Sequence, residues 1–114
     1  YFERMIHHEI FHMIDNSHPE IFMKNKWSKI NNKDFSYAAC STCTDLLGLD
    51  LEIMNGFLTE YSMSTAEEDM AEVYSLLKTN FEEIDQIIKK DQILIRKKDF
   101  LIKGLKKIDE KFIF

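Results

Sequence analysis

The chain is poor in cysteine, proline and tryptophan, and it has no surplus of positive charge. Each scarcity excludes something. Cys40 and Cys43, spaced as CSTC, are the only cysteines, so no second pair exists to complete a zinc knuckle. A thioredoxin-type use would place the pair after a strand in a βαβ unit, and no such unit is readable. The two read as a free or redox-labile pair in a loop, which leaves the compartment open. With 15 Lys and Arg against 20 Asp and Glu, the net charge of −5 argues against nucleic acid as a partner. No apolar run approaches the ~18 residues of a membrane span, so no transmembrane segment is expected. A signal peptide is lacking too, and an opening on Tyr1 rather than Met reads as a processed or truncated N-terminus.

What is present is globular composition, 45% hydrophobic and 31% charged over 114 residues, with no internal repeat and no linker. Residues 1–114 read as a single domain, mainly α. Phe2, Met5, Ile6, Ile10, Met13 and Ile14 recur at helical spacing and predict a half-buried helix, broken by Asn16, Ser17 and Pro19. PEIFMKNKW is a short helix or irregular, and Lys29 to Asn55 is turn-rich without a clear period. Ser64 and Thr65 are N-cap residues; a Ser64 cap puts Glu67 at the third helical position and completes a capping box. That helix runs to about Lys78, with Met70, Val73, Leu76 and Leu77 on its core side. Phe81 to Lys89 gives a further turn or two. Asp91 caps a last helix whose apolar side is Leu94, Leu101, Leu105, Ile108 and Phe112, with a basic, solvated opposite face.

All four histidines fall between Met5 and His18, in MIHHEIFHMIDNSH. His8 and His12 are four apart, which on a helix puts their β-carbons about 5–6 Å apart on one face. Both imidazoles can then reach one ion at roughly 2.0–2.1 Å. Glu9 is rotated by about 100° from His8, so it joins that ligand set poorly but can reach a water beside it. This is the HExxH arrangement of two zinc ligands and a general base.

Zinc needs a third protein ligand, and two candidates exist. His18 follows His12 by the six residues of the metzincin pattern HExxHxxGxxH, but the glycine is missing: Asp15 stands there. Glu68 lies on the later helix, free to face inward if Glu67 serves the capping box. Glu72, one turn further on the same face, can accept a hydrogen bond from a ligand imidazole, as metal-bound histidines usually require. Asp15, one turn after His12, can do the same work. The balance favours Glu68, with His18 as the alternative.

HHEIFHMID followed by YSMSTAEEDMAEVYSLL resembles the catalytic domain of anthrax lethal factor and its relatives, and equally the bacterial zinc-binding metallopeptidases of lethal-factor-like type. The resemblance covers Met5 to Asp15 and Phe57 to Leu77. It implies a zincin-like fold of gluzincin type: an active-site helix, an irregular loop, a glutamate-ligand helix and a C-terminal helix. It implies zinc held by His8, His12 and Glu68, with Glu9 as base and Tyr61, seven residues before the glutamate ligand, assisting the transition state. The Asp15 and Glu72 positions match as well. Zincins place a β-sheet before the active-site helix, so the chain is expected to be the C-terminal part of a longer catalytic domain. A peptide or protein substrate follows, and a secreted or cell-surface address is favoured. Two other classes compete: a zinc-binding protein without catalysis, and a metal-free helical interaction module. Glu9 and Tyr61 argue against the first, because neither is needed to close a structural site, and bound zinc at stoichiometry would dismiss the second.

Overall fold

Helix α3, Ala66–Thr79, is the element around which the others assemble, with every residue from Met70 to Leu77 buried. In this computed structural model, which describes all 114 residues, α1 (Phe2–Ser17) lies along one side of α3. The short α2 (Lys24–Ser28), α4 (Phe81–Ile88) and α5 (Gln92–Ile108) pack on other sides. An antiparallel hairpin of β1 (Leu51–Met54) and β2 (Phe57–Thr59) pairs Leu51 with Thr59 and Met54 with Phe57. A 3-10 turn, Tyr61–Met63, then leads into α3. The fold is mainly α, as its periodicities predict.

Met70, Val73 and Leu77 of α3 are fully buried with Phe11, Phe22, Trp27, Leu58, Leu94 and Leu101. Each such side chain contributes about 1.5–3 kcal/mol on leaving water. Asp91 caps α5 as expected, accepting from the N–H groups of Ile93 and Leu94. The stripe it heads is shorter than predicted: Ile108 is 41% exposed and Phe112 lies beyond the helix end. Gly56 makes the hairpin turn at φ +89, where a β-carbon would also strike Ile93.

Four expectations are corrected. Most of the apolar stripe of α1 does not face the core: Phe2, Met5, Ile6, Ile10 and Met13 are exposed and only Ile14 packs against it, while His8, Phe11 and Asp15 are buried. Polar residues win the inward side because α3 presents carboxylates there. The cap of α3 is Thr65, not Ser64. Thr65 has extended backbone and accepts from Glu68 N–H, whereas Ser64 is already helical, and a cap must lie outside helical geometry. The basic face of α5 is not wholly solvated, since Lys97 is fully buried. Its ammonium donates to Asp69 Oδ2 and to the Gly56 carbonyl, each at 2.7 Å, and sits 3.8 Å from the centre of the Phe57 ring. Finally, of the two readings of the cysteine pair the free one is excluded: Cys40 and Cys43 are bonded to each other in the turn-rich segment.

Candidate metal centre

His8 and His12 stand one turn apart on α1, and their Nε2 atoms approach to 3.1 Å. Glu68, on the first turn of α3, brings Oε1 to 3.1 Å from His8 Nε2 and 2.5 Å from His12 Nε2. The Thr65 cap starts α3 at Ala66, and that register puts Glu68 opposite the histidines. Three donor atoms thus form a triangle with edges of 2.5–3.1 Å. A tetrahedral zinc with ligand bonds of roughly 2.0–2.1 Å has edges of about 3.3 Å. The set fits that ion with small outward movement.

The chemistry of the donors says the same. His8 Nδ1 lies 3.0 Å from Glu72 Oε2, which assigns the proton to that nitrogen and leaves Nε2 as a lone pair in the neutral ring. Two imidazole lone pairs and a carboxylate oxygen at such distances repel unless a cation joins them. Protonation can serve. Burial works against the His8 imidazolium, but the hydrogen bonds to Glu68 and Glu72 outweigh it and push its pKa up to about 9. Burial likewise works to raise the Glu68 pKa, yet hydrogen bonds from His12, His8 and Tyr61 hold it well below the usual carboxylate range.

Glu72 is 2% exposed and is itself held. Arg4 Nη2 donates to Oε1 at 2.9 Å, and Thr59 Oγ1 donates to the same oxygen at 2.8 Å. Sequence reasoning passed over both donors. Arg4 had a signal, standing one turn before His8 on the same face; Thr59 had none, because only the hairpin carries it there.

Tyr61 donates its hydroxyl to Glu68 Oε2. Burial, helped by Glu68, pushes the phenol above its ordinary pKa, so it remains a proton donor. Glu9 is exposed, its carboxylate makes no hydrogen bond, and it offers an oxygen within 4.8 Å of donor atoms on His8 and His12. A His8–Glu9–His12 set is therefore a second way to hold an ion. Glu9, Tyr61, His8 and Glu68 share a cavity of about 200 Å³ with Met5 and Leu49 on its apolar side.

The remaining candidates lie apart. Asp15 is buried, with both carboxylate oxygens 2.6 Å from Lys24 Nζ. His18 is the C-cap residue of α1, and its Nδ1 faces Glu20 at 3.8 Å.

A family model described as "putative zinc-binding metallo-peptidase" matches residues 1–114. The chain belongs to that family. Neither a curated protein nor a solved structure matches it. For a zinc-binding metallo-peptidase family the nitrogen-and-carboxylate donor set is the appropriate one, since zinc takes histidine and carboxylate ligands alike. No helix of this family member is long and apolar enough to cross a membrane.

Proposed function

We propose that the chain carries the catalytic centre of a zinc-dependent metalloendopeptidase of gluzincin type, similar to the lethal-factor-like enzymes, acting on peptide or protein substrates. His8, His12 and Glu68 hold the ion. The observation that carries this reading is the 2.5–3.1 Å triangle of their donor atoms, assembled from two helices distant in sequence. Glu68 is preferred to Glu9 as third ligand because its Oε1 lies 3.1 and 2.5 Å from the two histidine Nε2 atoms, whereas Glu9 offers an oxygen within 4.8 Å of donor atoms on the same histidines. Bound there, zinc lowers the pKa of a water towards ~7 and polarises the scissile carbonyl.

The chain's own residues supply the rest. Glu9 is exposed in the cavity with its carboxylate unpaired, free to take a proton from the attacking water and pass it to the leaving amine. Tyr61 stays protonated and can turn its hydroxyl from Glu68 to the oxygen on which negative charge develops. Glu72 orients His8, and Arg4 and Thr59 fix Glu72. Asp15, paired with Lys24, holds the last turn of α1 and acts on the centre only through it. The Cys40–Cys43 bond supports an oxidising, secreted or cell-surface address.

The test is Glu9→Gln. Zinc content should match wild type while peptide hydrolysis falls by about 10²–10⁴. A variant that cleaves as fast as wild type would remove Glu9 from the mechanism.

A further inference from the structure

The CSTC stretch has no part in the chemistry above, yet it borders the metal centre. Cys40 and Ser41 line a second cavity, of about 330 Å³, with His12, Thr65, Glu67 and Glu68. The first cavity holds Glu9 and Tyr61. His8 lines the first, His12 the second and Glu68 both, so the two cavities meet at the donor triangle.

The segment is tied at its ends. Ala38 N–H donates to the Ser64 carbonyl at 2.9 Å, and Tyr61 N–H donates to the Gly48 carbonyl at 2.9 Å. Arg4 Nη1 donates to the Leu49 carbonyl at 2.7 Å. From Ala39 to Leu47 the backbone bonds only within the segment, as in Cys43 N–H to the Cys40 carbonyl and Leu46 N–H to Thr44 Oγ1. The disulfide is the one covalent constraint there. Its sequence separation is 3, and the effect of a disulfide on global stability grows with the length of the closed loop. What this one chiefly fixes is the local shape of the turn.

We propose that the disulfide-closed turn Cys40–Cys43 is a substrate-positioning wall of the cleft, holding the peptide on the His12 and Glu68 side of the centre. The nature of the ligand, an extended peptide, rests on the peptidase reading. Cys43 is exposed and Cys40 partly so, which lets serine replace both without a packing defect.

The experiment titrates two probes into zinc-loaded wild type and C40S/C43S by calorimetry. Acetohydroxamate reaches only the metal; a tripeptide hydroxamate also lies along the cleft. The variant should keep its zinc, bind acetohydroxamate as wild type does, and bind the tripeptide hydroxamate about tenfold more weakly, the cost of ordering a freed turn. Equal affinity of the two proteins for the tripeptide probe overturns the proposal. Lost zinc or lost acetohydroxamate binding in the variant also overturns it, because the disulfide would then hold the centre itself. A wild type that binds zinc and both probes, yet cleaves no peptide, sinks the peptidase reading and leaves the wall standing.

Discussion

Glu72→Gln probes how the centre is held. Both oxygens of this 2%-exposed carboxylate are engaged: Oε1 takes Arg4 and Thr59 at 2.9 and 2.8 Å, and Oε2 takes His8 Nδ1 at 3.0 Å. Glutamine keeps the shape but offers one acceptor oxygen. If that oxygen stays with Arg4 and Thr59, the amide NH₂ meets the His8 Nδ1–H, donor against donor. If the amide flips, His8 is served while a guanidinium and a hydroxyl face an NH₂. The first arrangement keeps the charged partner satisfied, so the defect falls on His8, whose ring must turn or change tautomer. Losing such a partner costs about 10–100-fold in metal affinity, or about 1.4–2.8 kcal/mol. The unpaired buried donor should also lower folding stability by about 1–3 kcal/mol. Competition of zinc against a chromophoric chelator reads the first quantity, and urea unfolding of the metal-free protein reads the second. Wild-type zinc affinity in Glu72→Gln would refute the claim that Glu72 orients His8. A stability loss alone would make it a packing residue.

Three further outcomes are expected. Glu68→Ala should lose most zinc affinity while His18→Ala keeps it, read by elemental analysis after dialysis; the reverse order would restore His18 as third ligand. Tyr61→Phe should lower kcat by about 10²–10³ with zinc content unchanged, and an effect seen only in thermal unfolding would point to packing instead. Lys97→Met should cost about 3–5 kcal/mol in urea unfolding, because it strands the fully buried Asp69 with only Trp27 and Tyr37 as donors. A loss below about 1 kcal/mol would mean that Asp69 is neutral in the folded protein.

The local grammar was legible because it needs only neighbours along the chain. The i, i+4 spacing of His8 and His12 pairs two imidazoles on any helix, and Asp91 caps α5 through N–H groups two and three residues away. Of the two features that favour Glu68, the Ser64–Glu67 capping box does not form, since Thr65 is the cap, while Glu72 does meet His8 and Glu68 lies against both histidines. Other features depend on which surfaces meet. Periodicity drew the right helix for α1 but the wrong inward face: the helix has an apolar stripe and a polar one, and the carboxylates of Glu68 and Glu72 across the interface select the polar one. Lys97 looked like one more solvated lysine until the fold closed Asp69, the Gly56 carbonyl and the Phe57 ring around its ammonium. Thr59 reaches Glu72 only because Gly56 turns the chain back at positive φ. Sequence spacing alone set the helical pairing of His8 and His12 and the start of α5, because helical geometry and capping act within one turn. The approach of Glu68 to both histidines and the buried Lys97–Asp69 pair were decided by tertiary packing, which brings residues tens of positions apart within hydrogen-bonding distance.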